Sequence, residues 1–201
     1  MIANSSPAHF TAEEYLEWEL QQDVRYEYIE GEVVAMTGGT IPHNDVALNV
    51  YRALYPHVRS RGCRTNVADV KVQVTPTVYF YADLVISCDE RDCNAIKLIR
   101  YPKLIVEVLS PSTEADDRGR KFSYYRSLET LQEYVLIDSE QMNVECFRRG
   151  EGKLWLYTPY TTGEIISWES IEYSCAIEQI YEDVQLTLQL TQEIENIDLP
   201  N

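Results

Sequence analysis

The chain has 201 residues, a formal net charge of -16, and 45% hydrophobic and 25% charged residues. Such a length supports one well-filled core, and the balance is that of an ordinary soluble globular protein. The acidity disfavours nonspecific attraction to nucleic acid, and no apolar run approaches the ~20 residues that a membrane helix needs.

The N-terminal stretch (MIANSSPAHF) lacks a charged and apolar signal pattern, so the cytoplasm is the expected address. Thr11 and Glu14 form a capping box, which predicts a first helix ending near Gln22. Residues 25–37 hold two β-prone runs on either side of Gly31, the pattern of a hairpin turning at Glu30-Gly31. From His43, the residues Val46, Ala47, Val50, Ala53, Leu54 and Val58 recur at helical spacing. Pro56 is expected to kink or end that helix, and Arg61-Gly62 to stop it.

Val70, Val72 and Val74 alternate with polar residues, as in a half-exposed strand. Residues 79–87 read as one apolar run holding a single acid, Asp83, and residues 88–100 as a polar loop with a short helix. Residues 104–110 form a second apolar run around a single glutamate, Glu107, and read as a strand buried on both faces. Ser112-Thr113-Glu114 is expected to cap a helix over residues 115–128 that carries Lys121. Residues 133–138, 143–148, 153–158 and 163–167 read as short strands finishing the sheet as a meander, and the last twenty as a strand and a loose tail. The frequent tyrosine, 15 copies, suits strands. The order predicts an α/β or α+β fold: a single domain over residues 1–186 around one mixed sheet flanked by helices, with an acidic tail at 187–201.

Cys63, Cys88, Cys93, Cys146 and Cys175 form no CxxC pair and no Cys/His cluster. Structural zinc is therefore not expected, and the odd, scattered count predicts reduced thiols.

The two acids in apolar strands carry the chemical expectation. An ionised carboxylate is costly to bury alone, so Glu107 needs a metal or a positive side chain. If the strands of Asp83 and Glu107 are neighbours, two bare carboxylates repel, and a divalent ion removes that cost; oxygen ligands with water suit Mg2+ or Mn2+. Side chains two apart share a face, so Glu107 shares its face with Ile105 and Leu109. The nearest lysine is Lys121, on the helix that follows. By the same rule Glu27 sides with Ile29, which makes it a better inward candidate than Glu30. Simpler readings stand beside these: an exposed Asp83, a Glu107 paired with lysine or arginine, a solvated basic face around Lys121, and a capping His43.

The series 25–32 (RYEYIEGE), His43, Ala82-Asp83, 105–113 (IVEVLSPST), Lys121, Tyr125 and 133–138 (EYVLID) resembles the Uma family. That family belongs to the restriction-endonuclease-like PD-(D/E)xK superfamily, and the resemblance spans about residues 10–185. It implies a restriction-endonuclease-like mixed sheet with an N-terminal helix and hairpin, and a Mg2+-dependent site that cleaves nucleic-acid phosphodiester bonds. Asp83 and Glu107 would be the metal-binding acids and Lys121 would replace the lysine missing at Leu109. Glu27 would be an auxiliary acid, and His43 would contact a phosphate or donate to the leaving oxygen. DNA is the substrate so implied, against the acidic net charge, and a homodimer is compatible with it. Two other readings are a degenerate interaction protein on the same fold and a metal hydrolase for a small phosphorylated substrate.

Overall fold

The computed structural model describes residues 9–36 and 38–186. The expected tail at 187–201 lies outside the described residues. Helix α1 (Ala12–Glu19) opens on the expected capping box: Thr11 Oγ1 accepts from the Glu14 N–H, and the Thr11 N–H donates to the Glu14 carboxylate. It presses Tyr15, fully buried, onto the Tyr28 ring 4.8 Å away. Strands β1 (Tyr26–Ile29) and β2 (Glu32–Ala35) form the hairpin; Glu30 and Gly31 both have positive φ, +50° and +106°. A two-residue turn of that hand matches the twist of the strands it joins.

Helix α2 (Ile41–Ser60) starts at Thr40, whose hydroxyl accepts from the His43 N–H, and buries Val46, Ala47, Val50, Leu54 and Val58. Pro56 does not end it. Only one turn follows the proline, and Val58 anchors that turn in the core. Gly62, at φ +77°, lies just past the end.

Next come β3 (Arg64–Val67), β4 (Lys71–Thr75), β5 (Val78–Tyr81) and β6 (Leu84–Ser87). Helix α3 (Glu90–Cys93), β7 (Leu98–Ile99) and β8 (Leu104–Leu109) follow. Then a helical stretch runs through α4 (Glu114–Asp116), a π-helical turn (Asp117–Lys121) and α5 (Phe122–Tyr125). No side-chain hydrogen bond caps it at Thr113; the Thr113 hydroxyl meets Ser110 instead. Strands β9 (Glu133–Asp138), β10 (Asn143–Arg149), β11 (Trp155–Thr161), β12 (Ile165–Trp168) and β13 (Tyr173–Ala176) and helix α6 (Ile177–Ile180) complete the order.

The fold is a mixed α/β one, but its strands make more than one sheet. A six-stranded sheet runs β11-β10-β9-β8-β6-β3, a five-stranded one β2-β1-β5-β4-β7, and β12 pairs with β13 alone. In the six-stranded sheet only β8 and β9 are parallel. The expected single strand over 79–87 is two strands in two sheets, separated at Ala82-Asp83. There the Asp83 N–H donates to Glu107 Oε2 (3.3 Å) and the Asp83 carbonyl accepts from Ala68 (3.0 Å). Backbone groups satisfied in this way leave the ladder without cost.

Both faces of β8 are buried. Leu104, Val106 and Val108 join the core under α2, while Ile105 and Leu109 join a second core with Phe80, Tyr125 and Tyr134. Among the described residues, no helix is long and apolar enough to cross a membrane.

The expectation of reduced thiols throughout is corrected. Cys63 and Cys88 form a disulfide, and Cys93, Cys146 and Cys175 are free. The pairing of Arg64 with Ser87 in β3 and β6 brings the flanking cysteines opposite each other, with Cα atoms 4.2 Å apart. A thiol titration of the unfolded, unreduced protein will therefore count three reactive thiols, rising to five after reduction. Five without reductant would contradict the bond.

Candidate functional site

Four elements deliver acids to one place. β1 carries Glu27, the β5–β6 crossing carries Asp83, the middle of β8 carries Glu107, and the π-helical turn carries Asp117. All four line a cleft of about 770 Å3. Val34, Ala35 and Met36 from the hairpin and Ile41 from α2 give it an apolar wall. Glu27, Glu107 and Asp117 are 6%, 2% and 2% exposed, so their charges are largely out of water.

Lys121, the last residue of the π-helical turn, points into this set. Its Nζ is 3.1 Å from Glu27 Oε1, 3.4 Å from Glu107 Oε1 and 3.2 Å from Asp117 Oδ1. Tyr125, one helical turn further, donates its hydroxyl to Glu107 Oε1 (3.2 Å). The reach of Lys121 follows from covalent continuity. β8 ends at Leu109, and the chain doubles back over the sheet, so that the helical stretch returns residues 117, 121 and 125 to the face that Glu107 occupies.

Asp83 is held differently. Its Oδ2 accepts from the Val108 N–H (2.7 Å) and lies 3.4 Å from His43 Nε2, while its own N–H donates to Glu107. The two acids thus sit in a reciprocal clamp, each carboxylate accepting from the backbone beside the other. His43 comes from the first turn of α2, where its N–H is spent on the Thr40 cap and its ring turns to Asp83.

Charge balance is the distinctive property of the site. Burial pushes the Glu107 carboxyl well above the usual carboxylate range, and the charges of Asp117, Asp83 and Glu27 add to it, against the pull of Lys121. Burial likewise raises Glu27 and Asp117, and in each case outweighs the lysine. Burial opposes the charge on Lys121, yet Glu107, Glu27 and Asp117 outweigh that and hold its pKa well above the ordinary value. Burial also works against a charged His43, but the hydrogen bond and charge of Asp83 prevail and raise it. One ammonium therefore serves more carboxylates than it can neutralise. Asp117 Oδ1 marks the shortfall: it is buried, near Lys121, and makes no aligned hydrogen bond.

An oxygen-rich donor set with surplus negative charge suits a hard divalent cation. Among the described residues, however, no three Asp, Glu, His or Cys side chains form a ready-made cage, and the lysine holds the middle of the cluster. Glu30, the other hairpin acid, is exposed in the turn and does not line the cleft. Asp117 was missed in the sequence. Its signal was there, an acid four residues before Lys121 on one helical face.

The pH dependence follows in sign. A carboxyl raised in the folded state gives stability that is full below its unfolded pKa, 3.8 for Asp117, and fades as pH rises toward the folded value. In metal-free buffer Asp117→Asn will be at least as stable as wild type at pH 8, and its urea midpoint will fall less as the pH rises from 3.8. A less stable variant with an unchanged pH slope would contradict this.

Residues 12–178 match the family model Uma2, described as "Putative restriction endonuclease". The chain is 36% identical over 185 residues to the Uncharacterized protein slr1290 of Synechocystis sp. (strain ATCC 27184 / PCC 6803 / Kazusa), covering 90% of this chain and 97% of that one. It is 34% identical over 161 residues to the Uncharacterized protein sll1609 of the same strain, covering 79% and 91%. Its fold matches the crystal structure of a protein from Anabaena variabilis ATCC 29413 entitled a putative nuclease belonging to DUF820. The TM-score is 0.72 at 15% identity, over 88% of this chain and 99% of that one. With a clustered acid site and a family match over most of its length, the chain belongs to the Uma2 family and has the restriction-endonuclease-like fold.

Proposed function

We propose that this protein is a divalent-cation-dependent nuclease that hydrolyses phosphodiester bonds in nucleic acid. The observation that carries the reading is the surplus of buried carboxylates around Lys121, whose single ammonium meets Glu27, Glu107 and Asp117 within 3.4 Å. Asp83 and Glu107 would hold Mg2+ or Mn2+, with Asp117 and Glu27 as further oxygen donors. When bound, the ion supplies an acidified water and neutralises charge that develops on the phosphate.

The chain's own groups have defined parts in this reading. Asp83 and Glu107 are kept rigid by their backbone clamp, so their orientation is set before substrate arrives. Lys121 presents its ammonium beside Glu107, where it orients the attacking water and adds positive charge near the scissile phosphate. Its i,i+4 partner Asp117 and the Glu27 carboxylate fix that ammonium from two sides. His43, kept protonatable by Asp83, stands at the cleft wall, where it can donate a proton to the leaving oxygen.

A second reading has its own observation. Glu107 already has Lys121 and Tyr125 as partners, and the residue on its face at 109 is a buried leucine and not a second cation. That would make the site a degenerate one, with Lys121 as a structural counter-ion on a protein that binds rather than cuts.

The two readings separate in one experiment. Supercoiled plasmid and single-stranded circular DNA are incubated with the protein in Mg2+ or Mn2+ and in EDTA. Wild type is expected to cut only with the ion, and Asp83→Asn and Glu107→Gln to lose roughly 100-fold or more with unchanged circular dichroism. Equal cutting by these variants would overturn the site. No cutting, together with no rise in Tm on adding Mn2+, would select the degenerate reading.

A further inference from the structure

A nuclease with a net charge of -16 has to offer its substrate some surface that does not repel phosphate. Residues 46–68 contain no aspartate or glutamate, although the chain holds 33, and they include Arg52, His57, Arg59, Arg61 and Arg64. Most of this stretch is α2. At about 100° per residue, Asn44, Leu48, Tyr51, Arg52, Tyr55 and Arg59 fall within roughly a third of the helix circumference. Apart from Tyr51, which packs half-buried against the core, they lie on the side away from the buried Val46, Val50 and Leu54.

The exposed face alternates cations with flat or apolar groups. Leu48 and Tyr55 are 49% and 38% exposed, Arg59 is exposed, and the Tyr51 and Tyr55 rings lie 5.0 Å apart. Arg52 is paired with Glu182 and Arg61 with Glu172, but all four side chains are well exposed. Exposed pairs of this kind hold weakly, and a guanidinium exchanges such a partner for a phosphate readily. Arg64 is excluded, since it is spent on the carbonyls of Asp92 and Ala95. Among the described residues, Arg59 makes no ion pair.

The face also runs to the right place. Its first residue, Asn44, lines the cleft that holds Asp83 and Glu107. From Asn44 to Arg59 is about 22 Å, enough for roughly six stacked nucleotides at ~3.4 Å each.

We propose that the outer face of α2 binds single-stranded nucleic acid and leads it into the cleft, an inference that rests on the nuclease reading. Tyrosine and leucine between arginines offer stacking surfaces, which only unpaired bases can use; a duplex hides its base faces and needs a broader basic surface. The surrounding acids then confine the strand to this one track.

Binding is measured without divalent ions, in EDTA, so that it is independent of cleavage. A fluorescein-labelled 12-nucleotide oligo(dT), its RNA counterpart and a 12-base-pair duplex are titrated at several salt concentrations. Wild type is expected to bind the single strands at low salt at least 5-fold more tightly than the duplex. The double variant Arg52→Gln/Arg59→Gln should bind at least 10-fold more weakly, with the slope of log K against log[salt] reduced by about 1.4. Tyr55→Ala should lose about 5-fold or more with that slope unchanged. The DNA and RNA arms show which sugar is preferred. Absence of single-strand binding by wild type, equal binding by the arginine double variant, or tighter binding of duplex would overturn the proposal. Retained binding without any cleavage in Mg2+ would instead overturn only the nuclease reading.

Discussion

A single ammonium, that of Lys121, lies within 3.4 Å of three buried carboxylates, and a fourth acid is clamped beside them. Much of the architecture around it can be understood as the means of bringing these groups together. Carboxylates buried near one another repel strongly, so a fold that assembles four must supply positive charge or suppress ionisation. Here both happen in part: the lysine stays charged, and Glu27, Glu107 and Asp117 are pushed upward in pKa. In the proposed reading, the residual imbalance is what would draw a dication in.

The geometry depends on a break in the sheet. Where β5 passes to β6, the chain exchanges ladder hydrogen bonds for bonds to side chains, with Glu107 accepting from Asp83 and Asp83 accepting from Val108. The two sheets part at this seam, and the cleft opens there, with α2 along one wall and the π-helical turn along another. π-Helical turns inside α-helices are frequent at functional sites. In this one, Asp117 and Lys121 are the first and last residues, and both are buried toward Glu107.

What the sequence revealed was local. The capping box at Thr11, the Glu30-Gly31 turn and the buried character of β8 could be read because each depends on neighbours in the chain. Glu107 stood out for the same reason, as a lone acid in an apolar run. What stayed hidden depends on pairing at a distance. The run over 79–87 gave no local sign of a break, since Asp83 leaves the ladder only because Glu107 is there to accept its N–H. The Cys63–Cys88 bond likewise requires β3 beside β6, which no cysteine spacing reveals. Asp117 was overlooked because an acid amid Asp116, Arg118 and Arg120 looks like a solvated face. Only the backbone turn decides that Asp117 and Lys121 go toward Glu107 while Arg118 turns the other way to pair with Glu114 and Glu145.

The acidic net charge and the proposed nucleic-acid substrate are reconciled if charge is distributed rather than merely summed. Steric access and local field, not the total, decide where a polyanion can lie. Whether the cluster is built for a dication can be seen directly in crystals grown with Mn2+ and measured at the manganese absorption edge. The carboxylate surplus predicts an anomalous peak in contact with both Asp83 and Glu107, with the Lys121 ammonium displaced from Glu107. A cleft without such a peak, with Lys121 still against Glu27, Glu107 and Asp117, would contradict it.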